Sequence, residues 1–357
     1  MVRSELTDPI ISGIQQIGIG NTSVYDTFKW YRQNLGMDLP VFDEAAEAEL
    51  MLPYTQGKPR SRHAILALNM MGGGGAEIWQ YTSRVGQPAA FDIKAGDLGI
   101  YIAKFKSRDI KVSHDFLSRE NETSEILTTP EGLQHFYVKD PDGNIIELVE
   151  SQSWFKKKLS HSGGVCGVTV GVSEMNQSIA FYKEVLGYDQ VVYDKTAKFD
   201  DFKYLGTSDK FRRVLLRHSQ PRKGPFSRLF GRTEIELIQN LDTTPRQIFA
   251  DRMWGDLGYI HLCFDIVGMA ALRGKCLAYG CGFTVDSGDF DMGEAAGQFA
   301  YIEDPDGTLI EFVETHKVPI MKKLGWFLDL RKRPADKPLP NFMLSAMGLS
   351  RVKDKVV

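Results

Sequence analysis

The 357-residue sequence predicts an α+β fold of four βαβββ modules, two in each half of the chain. The main observation is that the chain repeats itself. The segment DPDGNIIELVES at 140–151 returns as DPDGTLIEFVET at 304–315. YRQNLG at 31–36 and YKEVLG at 182–187 match in the same order, as do the two GDLG segments. Matches that keep their order along the chain indicate a tandem duplication.

Strand and helix patterns alternate within each half. Residues 13–20 are apolar at every second position, which predicts a strand, and a helical stripe follows it. The stripe consists of Val24, Phe28, Tyr31 and Leu35 in the first half, and of Met175, Ile179, Tyr182 and Leu186 in the second. Thr22 or Ser23 can cap the first helix, and Ser173 the second. A second strand–helix–strands block then begins at each GDLG and ends at each DPDG hairpin.

These patterns predict four segments. Residues 1–155 and 164–315 each form a domain of two modules, and residues 156–163 link them. From 316 the repeat pattern stops, and 316–357 is expected to be a helical tail that docks on the body or on a second subunit.

Composition narrows the class of partner. The chain has 43 basic and 46 acidic residues, a formal net charge of −3, which argues against nucleic acid as the main partner. No apolar run approaches the ~20 residues of a membrane-spanning helix, and the N-terminus lacks the apolar block of a signal peptide. The cysteines show no framework spacing. We therefore expect a cytoplasmic protein with a small-molecule partner.

The two DPDG hairpins place specific side chains opposite one another. Tyr137 and Glu147 are equidistant from the first turn, and Tyr301 and Glu311 from the second. Opposite residues share a face of the sheet, so each tyrosine should lie beside its glutamate. His135 shares the first of these faces by even spacing.

Glutamate between apolar neighbours occurs at four repeat-equivalent strand positions: Glu77, Glu147, Glu236 and Glu311. One explanation is a sheet with one solvated face, which is normal in antiparallel sheets. The other is a concave polar surface that holds a cation or a polar ligand, because carboxylates are rarely buried without a partner.

The hairpins and the strand–helix openings that end in Leu-Gly resemble those of the vicinal oxygen chelate superfamily. That superfamily includes glyoxalase I, bleomycin-resistance proteins and extradiol dioxygenases. The resemblance covers residues 13–315. It implies that the modules form two tandem pairs, each curled into a cup. The resemblance also implies that a divalent metal is held there by one residue on the first strand and one glutamate on the last strand of each paired module.

Carried onto this sequence, the resemblance implies a ligand set and a substrate pocket. The implied metal ligands are Gln16, Glu77, Glu147, Glu236, His261 and Glu311. The first-strand position of the second module falls near Asp97 or Ile100. In the third module it falls on Gly167, and in the fourth on Tyr259, with His261 expected on the same face. The implied catalytic residues are Glu147, Glu311, Tyr137 and Tyr301, and the implied pocket residues are His135, Trp79 and Tyr259.

The ligand types favour one reaction class and leave two alternatives. An oxygen-rich set suits Mg or Mn, with Zn, Ni, Co or Fe as other candidates, and such a metal would stabilise an enediolate while a glutamate moves a proton. We therefore expect a glyoxalase-like lyase, isomerase or epimerase that acts on a small substrate with vicinal oxygens. The alternatives are an extradiol-type dioxygenase and a metal-free protein that sequesters a small molecule. Because one chain carries both pairs, it is expected to be a monomer or a homodimer.

Overall fold

The computed structural model describes residues 6–291, 296–321 and 326–352. The first module comprises β1 (Ile10–Gly20), α1 (Val24–Leu35), β2 (Leu39–Glu47), β3 (Ser61–Leu68) and β4 (Gly75–Tyr81). The second comprises β5 (Gly99–Ser107), α2 (Ile110–Leu117), β6 (Leu127–Thr128), β7 (Gln134–Lys139) and β8 (Ile145–Glu150).

The second half repeats this order. The third module comprises β9 (Ser162–Gly171), α3 (Met175–Glu184), β10 (Gln190–Ala197), β11 (Phe211–Arg217), the short α4 (Ser227–Phe230) and β12 (Glu234–Asn240). The fourth comprises β13 (Gly258–Val267), α5 (Met269–Tyr279), β14 (Val285–Asp286), β15 (Phe290–Asp291), β16 (Ala296–Glu303) and β17 (Leu309–Met321). The predicted α+β class with two curled sheets of paired modules is confirmed.

The pairing of the modules differs from the expected one. One sheet has the strand order β14-β16-β17-β13-β1-β4-β3-β2 and so joins the first module to the fourth. The other has the order β10-β11-β12-β9-β5-β8-β7-β6 and joins the second module to the third. The expectation that each half closes its own cup is therefore wrong. Any first strand offers the same kind of unpaired edge, so local sequence does not determine which two will meet.

The two sheets share one apolar core. Ile17 of β1, Phe105 of β5, Val168 of β9 and Phe264 of β13 belong to a single buried cluster with the inner faces of the helices. Side chains alternate along a strand, so the polar residues between these positions lie on the opposite faces. We call these the first cup, on the sheet of modules one and four, and the second cup, on the sheet of modules two and three.

In each half of the chain, the DPDG turn of one module forms hydrogen bonds with the preceding module. Tyr31 of α1 donates a 3.0 Å hydrogen bond to Asp140 Oδ2 in the first hairpin, and Tyr182 of α3 donates the equivalent 3.0 Å bond to Asp304 Oδ2. Asp142 of the same first turn accepts a 2.7 Å bond from Thr22 Oγ1, just before α1. In each half, the repeated helix motif and the repeated DPDG motif thus contact each other, and the modules that carry them lie in different sheets.

The helix starts are partly as predicted. Ser23 caps α1 through its side chain, and Gly36 ends it in the left-handed conformation. α3 begins later than expected, with Glu174 at the N-cap position and no side-chain cap. Ser173 instead donates its backbone N–H, at 2.9 Å, and its hydroxyl to Asp306 of the second hairpin.

The C-terminal segment is only partly helical, so that part of the prediction is wrong. β17 runs on to Met321 and pairs with β18 (Trp326–Asp329), and α6 (Asn341–Met347) follows. Leu330, Leu339 and Leu344 pack with α4 in a separate apolar cluster, so the segment docks on the body. Among the described residues, no helix is long and apolar enough to cross a membrane.

Candidate metal centre

Four polar side chains from opposite ends of the chain converge in the first cup. Gln16 lies on β1, Glu77 on β4, His261 on β13 and Glu311 on β17. One ligand atom each from Glu77, His261 and Glu311 can be chosen so that all lie within 4.8 Å of one another. The central pairing of β1 with β13 produces this convergence, since it places the two modules' parallel strand pairs side by side.

The distances are those of a compact polar centre. Gln16 Nε2 donates a 3.0 Å hydrogen bond to Glu77 Oε2. His261 Nε2 lies 3.3 Å from Glu77 Oε2 and 3.0 Å from Glu311 Oε2. The imidazole is fully buried, whereas the Glu77 and Glu311 side chains are 12% and 10% exposed, so the centre is reached from the carboxylate side.

A β-bulge in β13 decides which side chains face the first cup. Gly18 pairs with His261 and the next residue, Ile19, pairs with Tyr259, so Ile260 is the extra residue. A bulge reverses the alternation locally. Tyr259 therefore belongs to the core shared by the sheets, and its hydroxyl donates a 2.8 Å bond to the Ile145 carbonyl oxygen. The expectation that Tyr259 lines the pocket on the same face as His261 is wrong.

Gly18 makes room for the imidazole. A Cβ built on Gly18 would lie 2.3 Å from His261 Cε1 and 2.6 Å from its Nδ1. Such a contact is far inside van der Waals range, so a larger residue on β1 would displace the ring. Glycine at this position fixes how closely β1 and the histidine approach.

The carboxylates dominate the electrostatics of the first cup. Burial by itself lowers the pKa of His261, but Glu311 and Glu77 outweigh it and raise that pKa to about 10. Burial would likewise raise the pKa of Glu77, but the neighbouring His261 holds it below its usual value. Burial, then Glu311 and Glu77, raise the pKa of Tyr301 well above its usual value, so its hydroxyl stays protonated.

The donor set fits a divalent cation. Gln16 Oε1 and His261 Nδ1 are buried and have no hydrogen-bond partner within the described chain, while His261 Nε2 and Glu311 Oε2 face each other at 3.0 Å. Buried polar atoms are normally paired, and a cation between these atoms would satisfy them. The donors are two carboxylates, an amide oxygen and an imidazole. This set suits Zn, Mn, Ni, Co or Fe, because imidazole is a ligand that such ions accept more readily than Mg does.

Aromatic rings enclose the first cup. Trp79 and Tyr301 line it together with Trp254, whose ring stacks on His261 at a centroid distance of 6.4 Å. Trp254 is carried by the segment between β12 and β13, and the Tyr81 hydroxyl donates a hydrogen bond to its backbone oxygen. This enclosure keeps bulk water away from the histidine side of the centre.

The second cup has the same glutamates but a different centre. Lys104 of β5 places its Nζ 2.7 Å from Glu236 Oε2, 3.4 Å from Glu147 Oε2 and 3.5 Å from Glu234 Oε1. His135 Nδ1 lies 2.7 Å from Glu147 Oε1. A lysine ammonium thus stands among the carboxylates.

Further buried charges complete this network. Arg213 binds Glu236 Oε1 at 2.7 Å through Nε and Asp201 Oδ2 at 2.7 Å through a terminal nitrogen. Tyr193 donates a 2.6 Å bond to the same Glu236 oxygen. The Lys104, Glu236 and Arg213 side chains are each no more than 3% exposed. Burial would raise the pKa of Glu236, but Arg213 and Lys104 lower it, so the carboxylate is charged.

The first-strand positions of the second cup offer no ligand. In the first cup, Gln16 lies two residues before Gly18, the residue that pairs with Glu77. In the second cup, Lys104 pairs with Glu147, so the residue that corresponds to Gln16 is Ile102. Gly167 has the same place on β9, and a Cβ there would lie 2.4 Å from the Glu234 backbone oxygen.

Neither Asp97 nor Ile100, the two candidates for the first-strand position of the second module, serves as a ligand there. Asp97 accepts hydrogen bonds from the backbone N–H groups of Lys94 and Arg246, and Ile100 lies in the shared core.

The structure regroups the predicted site residues. Gln16, Glu77, His261, Glu311, Trp79 and Tyr301 lie in the first cup, and His135, Tyr137, Glu147 and Glu236 in the second. The expected grouping of Glu77 with Glu147 and of Glu236 with Glu311 is wrong, because the modules pair across the halves. The predicted Tyr137–Glu147 and Tyr301–Glu311 neighbours do lie opposite each other.

Sequence reasoning missed several residues of these cups, among them Lys104, Asp201, Arg213 and Trp254. Lys104 and Lys106 alternate with apolar residues in β5, which is the same pattern that drew attention to the glutamates. Arg213 directly follows Arg212 in β11, so no alternation of polar and apolar residues points to it. Asp201 and Trp254 come from irregular segments, where no periodicity points to them.

Comparisons with known proteins agree with this architecture. Residues 13–148 and 165–312 each match the model of the Glyoxalase/Bleomycin resistance protein/Dioxygenase superfamily. A search of curated proteins finds no match to the chain.

Solved structures share the fold. Glyoxalase I from Zea mays is 14% identical over 85% of this chain and 92% of its own, with a TM-score of 0.51. A putative dioxygenase from Bacillus subtilis subsp. subtilis str. 168 is 13% identical over 98% of this chain and 99% of its own, with a TM-score of 0.57. At these identities the likeness concerns the fold alone.

Proposed function

The chain belongs to the Glyoxalase/Bleomycin resistance protein/Dioxygenase superfamily, and from that premise we propose that its first cup is a metal-dependent active site. The proposed activity is that of a glyoxalase-like lyase, isomerase or epimerase. It moves a proton next to a carbonyl in a small substrate with two adjacent oxygens.

One observation carries this proposal. Gln16, Glu77, His261 and Glu311 supply one first-strand residue and one last-strand glutamate from each of two paired modules. That is the ligand pattern which the family resemblance implies, assembled here from the first and fourth modules. The buried Gln16 Oε1 and His261 Nδ1, which have no hydrogen-bond partner within the described chain, support a bound cation in the same place.

Each residue has a distinct role in the proposal. A divalent ion at this centre supplies Lewis acidity toward the substrate oxygens. Glu77 and Glu311 face the accessible side and are the groups that accept and return the proton. The protonated Tyr301 hydroxyl beside Glu311 donates a hydrogen bond to it or to the substrate. Trp254 and Trp79 exclude water, which strengthens the charge interactions inside the cup.

The donor types favour this chemistry over ring cleavage. A non-haem iron centre that activates dioxygen typically has two histidines and one carboxylate. In the described first cup the candidate set contains one histidine, His261, with two carboxylates and an amide. Such an oxygen-rich set would suit a metal that stabilises charge on substrate oxygens.

The proposal is tested by metal analysis and by proton exchange. We expect about one divalent ion per chain, and metal-dependent incorporation of deuterium next to the carbonyl when α-hydroxycarbonyl compounds are incubated in D₂O and followed by NMR. E311Q should reduce both metal content and exchange at least tenfold. E120Q changes an exposed glutamate that follows α2 in the second module and should alter neither.

Other outcomes point to other classes. Oxygen uptake with a catechol, without proton exchange, would replace this proposal by a dioxygenase. A chain that binds no ion from Mg, Mn, Zn, Ni, Co or Fe and gains no activity from them would instead be a metal-free binding protein.

A further inference from the structure

The two cups are built on the same ladder positions. Glu77 pairs with Gly18 and Glu311 with Cys263 in the first cup, while Glu147 pairs with Lys104 and Glu236 with Thr169 in the second. Each glutamate lies on a last strand, parallel to the first strand of its own module. The four glutamates therefore have equivalent positions in their modules. What differs is the residue that pairs with each glutamate on the neighbouring first strand.

The difference at one of these positions is a lysine. Gly18 has no side chain, whereas Lys104, at the matching place in the second module, extends an ammonium into the cup. Its Nζ lies within 3.5 Å of three carboxylates, from Glu147, Glu234 and Glu236. Burial alone would lower the pKa of Lys104, but these carboxylates raise it well above its usual value, so the group is a fixed cation.

The carboxylates are held in place from behind. Arg213 and Tyr193 bind the Glu236 oxygen that does not face the lysine, and His135 lies beside the corresponding oxygen of Glu147. The positions of Glu236 and Glu147 are therefore supported by contacts that do not involve the amine.

We propose that the ammonium of Lys104 is the resident cation of the second cup, standing where a divalent ion would otherwise bind. The second cup is thus a latent divalent-cation site that the chain itself keeps occupied. This inference deepens the proposed function, since it assigns the single metal ion to the first cup and gives the second a structural role. Removal of one partner from a buried ion pair of this kind, without replacement, is strongly destabilising.

The test removes the amine and measures Mn²⁺ binding. The parent variant is E77Q/E311Q, in which the first cup is disabled, and bound Mn²⁺ is counted from the loss of the free-ion EPR signal. We expect no bound ion in the parent and one per chain after K104A is added. Mn²⁺ should also raise the Tm of the K104A variant by about 5 °C relative to EDTA.

Lys106 provides the matched control. It is buried two residues further along β5, but its Nζ donates to the backbone oxygens of Ser153 and Phe230 at 3.0 and 3.1 Å. K106A in the same parent should bind no Mn²⁺, because it uncovers carbonyl groups and no carboxylate cluster.

Several results would overturn the inference. A bound ion in the parent means that the second cup accepts metal beside Lys104. A K104A variant that binds none, or that stays unfolded both with Mn²⁺ and with EDTA, means that the carboxylates do not form a latent site. Failure of the wild-type chain to bind metal would count against the proposed function alone, because the K104A count does not depend on the first cup.

Discussion

Gly18 shows how a residue without a side chain can determine a functional centre. It places β1 against the His261 ring, where a Cβ would lie 2.3 Å from Cε1. The imidazole can take this position only because Gly18, on the neighbouring strand, has no Cβ. Nothing in the local sequence around Gly18 reveals this, because its partner lies on β13.

The first prediction concerns this contact. G18A should lower the Mn²⁺ affinity of the first cup about tenfold or more, because it shifts the His261 ring while all four candidate ligands remain. Isothermal titration with Mn²⁺ measures the change. G274A, on α5, is the control, since a Cβ there meets nothing within 4 Å. Unchanged affinity in G18A would show that the ring position does not matter.

His218 supplies a pH-dependent contribution to stability. Its Nδ1 is 2.8 Å from the Gln220 carbonyl oxygen, and its Nε2 accepts a 3.3 Å bond from the Thr233 N–H. Burial, and then the charge of Arg222, lower its pKa to about 4. The neutral ring is therefore the folded form, and protonation would break the bond from Thr233.

The second prediction follows from that shift. The unfolded chain takes up the His218 proton near pH 6.5, while the folded chain resists it until about pH 4. Stability is therefore complete above pH 6.5 and is lost as the pH falls toward 4, by at most about 3 kcal/mol. Urea unfolding at several pH values should show a smaller loss for H218Q. An equal pH slope in both proteins would contradict this.

At the scale of elements, the DPDG hairpins act as connectors between modules. Asp140 is buried, and burial raises its pKa to about 6, yet it receives donors from Tyr31 and from its own turn. The helix belongs to the first module and the hairpin to the second, and the strands of these modules lie in different sheets. The motif thus joins the two sheets within one half, which explains why its tyrosine and aspartate partners recur together.

The third prediction tests this connection. Y31F removes one hydrogen bond to a buried carboxylate and should reduce the free energy of unfolding by about 1–3 kcal/mol. Urea denaturation gives the value. Y25F on the same helix is the control, because Tyr25 is 57% exposed, and its loss should be close to zero. Equal effects of the two substitutions would remove the assigned role of the Tyr31–Asp140 bond.

At the scale of the whole molecule, pairing across the halves determines which glutamates cooperate. Glu77 and Glu311 lie far apart in the sequence but flank the same histidine. Glu147 shares the repeat half of Glu77 but lies in the other sheet, beside Lys104. A chain of two repeats therefore forms two unlike centres instead of two copies of one.

The fourth prediction separates the two arrangements. E77Q should weaken Mn²⁺ binding about tenfold or more, and E147Q should leave it unchanged, because Glu147 does not reach the first cup. Titration of the folded variants with Mn²⁺ gives both values. A loss of affinity in E147Q equal to that in E77Q would mean that the two glutamates share a site.

Local pattern was sufficient to predict the modules, the α1 boundaries and the polar faces. Alternation along β4 and β17 placed Glu77 and Glu311 on the face opposite the core, and the hairpin turn placed Tyr301 beside Glu311. These features depend on residues that are close in sequence. The family match confirms the resemblance that the repeated hairpins predicted.

The sequence by itself determined that the chain is duplicated, that strands and helices alternate up to residue 315 and that the four glutamates lie on polar strand faces, because these depend on short-range periodicity. Only the tertiary structure decided that β1 pairs with β13, that a bulge at Ile260 turns Tyr259 away from His261, and that Lys104 enters the second cup. The first strands of the four modules have similar free edges, so their local sequences allow several pairings. Packing over the whole molecule determines which pairing forms. That choice converts two similar halves into a candidate metal centre and a cup closed by its own cation.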